Sequence, residues 1–393
     1  MLPDYFEFYN PVKLNAGTEA LETIPYELKL LNASRPMIIT DKGIVAIGLL
    51  KIVLAGFKDS QITVGAIYDN TPSDSSIEAV SEAAELFEKN QCDSIIAVGG
   101  GSAMDTAKGV NIVISENDTD LRKFMGVDRV SKPQKPLIVV PTTAGTGSEV
   151  TLVAVISDTK NNIKMPFTSN LLLPKIAVLD PRMTLGLPPR MTAATGMDAL
   201  THAVEAYTCL QKNPMSDAYA TAAVKMIFEN IENAVKTGSD KKVRFSMAVA
   251  ASLAGIAFSN SMVGAVHAVG HACGAVSHIH HGNAMAILLP YVMKFNSDKI
   301  GDLYGELLLH MAGNETFAET PPNNRSRKAI ETVLLMNHSL NKISGMPVKL
   351  SEAGVKREHL REIAAKALND GAMLPNPKDL SEKDITAILE EAF

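Results

Sequence analysis

Short, mostly apolar runs punctuate the first half of the chain: PMIITD (36–41), QITVGAIYD (61–69), SIIAVGG (94–100), LIVVPTT (137–143) and KIAVLD (175–180). Runs rich in Ile and Val that do not alternate with polar residues suit strands buried on both faces. Between most of them the apolar positions recur at helical spacing, as in SIEAVSEAAELFEKN. Strand and helix in alternation predict a parallel sheet covered by helices.

From about Pro188 the pattern changes. MTAATGMDALTHAVEAYTCL, PMSDAYATAAVKMIFENIENAV and RFSMAVAASLAGIAF carry apolar residues on several helical faces, and no strand pattern follows them. The Pro-rich LDPRMTLGLPPR (179–190) marks the change. The expectation is a Rossmann-like α/β nucleotide-binding domain over 1–185 and an all-α domain over 186–393, with no internal repeat.

Composition narrows the class. At 393 residues, 46% hydrophobic and 20% charged, the chain can bury two cores. The net charge of −6, with basic residues scattered, argues against nucleic acid or an anionic membrane as partner. The start, MLPDYFEFYN, is acidic where a signal peptide is basic, and no uninterrupted apolar run long enough for a bilayer is visible. Cys92, Cys209 and Cys273 lie too far apart for a disulfide framework or a zinc ribbon, which suits a reduced, cytoplasmic chain.

Two glycine loops carry the first chemistry. In SIIAVGGGSAMDTAKGV a strand runs into Gly99, Gly100, Gly101 and Ser102 and then a helix, where free N–H groups and the helix dipole attract phosphate. The plainer reading is a tight turn with Ser102 or Asp105 serving the helix start, but three glycines exceed what a turn needs. The second loop, VVPTTAGTGSEVT, offers the hydroxyls of Thr142, Thr143, Thr146 and Ser148. Two such loops at strand ends suggest a nucleotide across the C-terminal edge of the sheet. Asp41, ending another strand, is placed either to bind the ribose hydroxyls of NAD and repel the 2′-phosphate of NADP or to cap the next helix. It precedes the glycines, so the GxGxxG order does not apply.

The second half concentrates imidazoles. Five of the nine histidines fall between His267 and His281, within an Ala/Val/Gly-rich run. Asp198 and His202 are four apart, as are His267 and His271, so each pair shares a helix face. Buried charges need partners: a simple Asp–His hydrogen bond would serve one pair, and a metal would serve both at once. A straight helix would hold His281 roughly 21 Å from His267, whereas ligands of one ion converge to about 3–4 Å. The chain must therefore turn back between them, and Gly274 and the polar run Ser277–His281 provide the break. An Asp/His set suits Fe(II), Zn(II) or a similar ion. His278 and His280 are expected at the surface.

GGGSAMDTAK, PTTAGTGSEVT, GMDALTHAVEAYT and HAVGHACGAVSHIHHGNAMAILLPYVMKFN resemble, in order and over nearly the whole chain, the motifs of the iron-dependent (group III) alcohol dehydrogenases. The resemblance implies a dehydroquinate synthase-like architecture, with the active site in the cleft between domains. It implies metal ligands at Asp198, His202, His267 and His281, with His271 close to the metal and substrate without being a ligand; a proton relay to solvent is the role expected of it there. It implies dinucleotide contacts at Asp41, Asn70, Gly99, Gly100, Gly101, Ser102, Thr142, Thr143, Thr146, Val153 and Lys164. NTPSDSSI departs from the Asn-Pro pattern usual after the third strand, which weakens the match at Asn70.

The activity implied is metal-assisted hydride transfer between a small primary alcohol or diol, or its aldehyde, and NAD(H), by a homodimer or larger homo-oligomer. The same framework carries hydroxyacid-oxoacid transhydrogenases and glycerol dehydrogenase-like enzymes, which are the alternative. A metal-free reductase does not match the retained Asp and three His. A binding protein without catalysis would have little use for a metal set and a dinucleotide site together.

Overall fold

A computed structural model describes residues 3–161 and 163–393. They divide into two compact units, Asn10–Gly186 and Leu187–Phe393, the latter joined by the segment ending at Tyr9. Assigning the first residues to the sheet unit is therefore corrected. The Tyr9 N–H donates to Asn260 Oδ1 at 2.7 Å and the Phe8 ring stacks on Tyr219, contacts that hold this segment on the helices.

The first unit contains β1 (Lys13–Ala16), α1 (Ile24–Leu30), β2 (Pro36–Ile39), α2 (Lys42–Ala46), α3 (Leu49–Ala55), β3 (Ala66–Tyr68), α4 (Ile77–Lys89), β4 (Ser94–Gly99), α5 (Gly101–Glu116), β5 (Gly126–Val127), β6 (Leu137–Pro141), β7 (Val153–Asp158), β8 (Ile163–Thr168) and β9 (Ile176–Leu179). The main sheet is parallel throughout, in the order β1-β9-β6-β4-β2-β3. Its inner strands β2, β4, β6 and β9 are buried along their whole length, as their unalternating apolar runs require. On one face Ile38, Ile96, Val98, Ile138, Val140 and Val178 pack with Leu21, Ile24, Leu28, Leu50 and Val53. The edge strand β1 and a second sheet, β5-β8-β7, were not foreseen. KLNA has no apolar run, and β7 and β8 are antiparallel and partly exposed, so neither carries the buried-strand pattern.

Register positions the chemistry. Ile39 pairs with Ala97 and Gly99 with Pro141, so the ends of β2, β4 and β6 stand abreast. The chain passes from β2 to β3 on one side and returns to β4 on the other. That makes β2/β4 a switch point, where ligands of open parallel sheets bind.

The second unit contains α6 (Pro189–Thr208), α7 (Pro214–Lys236), α8 (Lys241–Ser259), α9 (Ala265–Ser277), α10 (His281–Glu319), α11 (Arg325–Ser344), α12 (Leu360–Ala367) and α13 (Glu382–Ala392). No strand occurs among its described residues. α6 is buried from Thr192 to Thr208 and packs against α7, α8 and α10. α8 is long and apolar enough by length and composition to cross a membrane; its contacts with α6 and α7 account for that apolarity as helix packing. α9 stops at Ser277, His278 takes a left-handed conformation (φ 54°) that closes the helix, and α10 begins at His281. This is the reversal that the histidine spacing demanded.

Candidate active site

α6 turns Asp198, His202 and Glu205 to one face, at helical spacing over two turns. α9 brings His267 and His271 towards them, and the start of α10 brings His281. Asp198 Oδ1 lies 3.2 Å from His281 Nε2 and 3.9 Å from both His267 Nε2 and His202 Nδ1. One donor atom each from Asp198, His267 and His281 fits within a mutual 4.8 Å. His202 stands at the edge of this group, its ring 4.4 Å from that of His267 and stacked on Phe258.

Asp198 Oδ1, His202 Nδ1 and His267 Nε2 are buried with no hydrogen-bond partner among the described residues. Each such orphan costs about 1–3 kcal/mol. Burial pushes His202 down to about 3 and His267 well below its ordinary value, so both rings are neutral lone-pair donors at neutral pH. Burial alone would raise Asp198, but the facing imidazoles of His202, His281 and His267 hold it below the usual carboxylate range. One carboxylate with imidazole nitrogens 3.2–3.9 Å from its Oδ1 is a donor set that fits a divalent cation. Asp198, His202 and His267 close one side, whereas the His281 and His271 side chains are 39% and 42% exposed and leave the other accessible.

His271 stacks on His281 with 5.4 Å between centroids, and its Nδ1–H donates to Asp370 Oδ2 at 2.9 Å. Asp370 was not evident from the sequence because it lies 99 residues away, capping a short 3-10 segment. Glu205 escaped too, although its spacing from Asp198 and His202 was visible. It accepts the Nδ1–H of His267 at 2.5 Å, and burial pushes its carboxyl up to about 7. His278 and His280 are exposed.

In the sheet unit the glycine loops meet as neighbours. A Cβ on Gly100 would stand 3.3 Å from Thr143 Oγ1, and one on Gly101 3.2 Å from Thr146 Cγ2, so the glycines let the second loop close on the first. The Thr142 N–H donates to Gly99 O at 3.0 Å. No side chain caps α5 at Gly100. Neither Ser102, whose hydroxyl donates to Ser73 O, nor Asp105, which accepts from Ser148 Oγ and the Val155 N–H, serves the helix start. Asp41 Oδ1 accepts the Ile44 N–H at 3.0 Å, so Asp41 does cap α2; its Oδ2 faces Gly99, 3.8 Å from where a Cβ would be. Asn70 bridges to Asp41 across the strand ends. Val153 opens β7, and Lys164 on β8 pairs with Asp74 at 3.4 Å.

Lys108, also unforeseen, is fully buried under these loops. Its ammonium donates to Ser148 O (2.9 Å), Ser148 Oγ (3.1 Å), Thr151 O (3.0 Å), Thr151 Oγ1 (3.3 Å) and Val153 O (2.8 Å). Burial pushes it down to about 8. A single cation thus ties α5 to the second loop and to β7.

Two family models match the chain: "Iron-containing alcohol dehydrogenase" over residues 11–181 and "Fe-containing alcohol dehydrogenase family, C-terminal" over 192–393. Alcohol dehydrogenase 4 of Saccharomyces cerevisiae is 36% identical, with 98% of each chain covered. A 1,3-propanediol dehydrogenase of Citrobacter freundii is 36% identical, with 99% of each covered. A crystal structure of 1,3-propanediol oxidoreductase superposes with a TM-score of 0.94 at 35% identity, covering 99% of this chain and 100% of the other. These relatives do not favour the transhydrogenase or glycerol dehydrogenase-like alternative. The chain belongs to the iron-containing alcohol dehydrogenase family and is an oxidoreductase that works with a divalent metal and NAD(H).

Proposed function

We propose that the enzyme oxidises small primary alcohols or diols with NAD, and reduces the aldehydes in reverse, using Fe(II) held by Asp198, His202, His267 and His281. The observation that carries this reading is the convergence of Asp198, His267 and His281 donor atoms within a mutual 4.8 Å, with His202 Nδ1 and His267 Nε2 buried and without a hydrogen-bond partner among the described residues. The names of the relatives, alcohol and 1,3-propanediol dehydrogenases, support the substrate class. When bound, the cation supplies Lewis acidity to the alcohol or carbonyl oxygen, and the nicotinamide takes or gives the hydride.

The chain's residues do the rest. Asp198 supplies the compensating negative charge, and the closed side formed by Asp198, His202 and His267 excludes water. The accessible side, at His281 and His271, admits substrate. With its Nδ1–H given to Asp370, His271 keeps Nε2 as an acceptor that takes the alcohol proton and passes it to solvent. Gly99, Gly100, Gly101 and Ser102, with Thr142, Thr143 and Thr146, anchor the pyrophosphate at the uncapped start of α5. Asp41 Oδ2 takes the ribose hydroxyls, which favours NAD over NADP. Asn70, Val153 and Lys164 complete the dinucleotide contacts. Buried, free Cys92, Cys209 and Cys273 suit work in the cytoplasm, where the enzyme acts as a homo-oligomer.

A panel of alcohols, diols and aldehydes, assayed with NAD and NADP after anaerobic loading with Fe(II) and in parallel with Zn(II), tests the reading. Turnover of short alcohols or diols with NAD is expected. No turnover across the panel, with metal and NAD both shown to bind, would overturn it.

A further inference from the structure

We infer that Glu205 is a positioning residue that fixes the tautomer of His267 and docks α9 on α6, so that His267 Nε2 faces Asp198 without a proton. The inference rests on the reading that Asp198 and the three histidines hold a cation. Glu205 is 5% exposed and meets α9 at two points. Oε2 lies 2.5 Å from His267 Nδ1 while Oε1 is taken by a backbone N–H; in its ionised form the carboxylate only accepts, so the ring then carries its proton on Nδ1 and its lone pair on Nε2. Oε1 accepts the Val266 N–H at 2.7 Å, one of the first-turn donors of α9 that lack a partner within the helix.

Gly264 makes this reach possible. A Cβ there would stand 3.1 Å from Glu205 Oε1 and 3.1 Å from Asn376 Oδ1. Asn376 takes the adjacent donor, the Ala265 N–H, at 3.2 Å. Two outside side chains therefore hold the start of α9, but only Glu205 also touches His267. It binds the position and tautomer of that histidine to the helix carrying Asp198 and His202. Carboxylate partners of metal-binding histidines act in this way elsewhere.

The test is Zn(II) affinity, by chelator competition on the metal-stripped full chain, for wild type, Glu205→Gln and Asn376→Ala. Glutamine matches glutamate in size but has one acceptor oxygen. If that oxygen keeps the Val266 N–H, the amide donates to His267 Nδ1 and drives the proton onto Nε2, facing Asp198. Glu205→Gln should weaken Zn(II) binding about 10–100-fold and change the visible absorption of the Co(II)-loaded protein, while Asn376→Ala, which loses the cap on Ala265 and the hydrogen bonds to Asn296 and Lys378 O but no contact with His267, stays close to wild type in affinity. Equal affinity of Glu205→Gln and wild type, or equal weakening by both variants, would overturn the inference. Failure of wild type to bind would bring down the cation reading instead. Should Glu205→Gln not fold, nitrogen-15 NMR of labelled histidine in the wild type, with the His267 signals assigned by His267→Asn, decides. Protonation on Nδ1 is expected, and protonation on Nε2 would overturn the inference.

Discussion

Asp198 is a buried carboxylate held ionised by the facing imidazoles, an arrangement suited to a bound cation. Asp198→Asn should therefore destabilise the stripped protein at neutral pH, by roughly 1–3 kcal/mol. It should also abolish the rise in melting temperature on adding Fe(II) or Zn(II), and denaturation with and without metal checks both. His202 makes a linked prediction. Its folded value, about 3, lies below its ordinary 6.5, so its contribution to stability is whole above 6.5 and lost as the pH falls towards 3. Stripped wild type should melt lower at about pH 5 than at about pH 7.5, with a smaller drop in His202→Gln, by calorimetry. For His271, replacement by Ala with metal retained should remove a limb of the pH–rate profile; an unchanged profile would reject the relay.

At the scale of elements, close approach decides what each helix delivers. A Cβ at Gly282 would fall 2.4 Å from the Ala194 carbonyl oxygen, a backbone atom that cannot swing away. Gly282→Ala should push the start of α10 off α6 and displace His281 beside it, costing roughly 1–3 kcal/mol and weakening metal binding in the same assay. In the sheet unit, Lys108→Met should cost about 3 kcal/mol, since it strands buried carbonyls of the second glycine loop, and should raise the Kd for NAD measured by calorimetry. What could be read beforehand follows the same line. Inner strands and long buried helices were legible because burial on every side leaves unbroken apolar runs. β1, β7 and β8 were not, since strands that keep polar or exposed positions look like loops.

At the scale of the whole molecule, the sites divide in the same way. Helical spacing made the Asp198/His202 and His267/His271 pairs legible and chain reach required a break before His281, while the set of four came from the resemblance; in the fold Asp198, His267 and His281 converge with His202 at their edge. Lys108 was hidden because a buried lysine satisfied by carbonyls has no spacing signature. Asp370 was hidden because its contact to His271 spans 99 residues. Asp41 was ambiguous in sequence, and in the fold one oxygen caps α2 while the other is left towards the glycine loop. The central claim is that these four side chains together hold one divalent cation. Anaerobic calorimetric titration of the stripped chain with Fe(II) tests it most directly. One ion per chain for wild type, with binding lost in Asp198→Ala and in His267→Ala, is the expected result. Undiminished binding in either variant would contradict it.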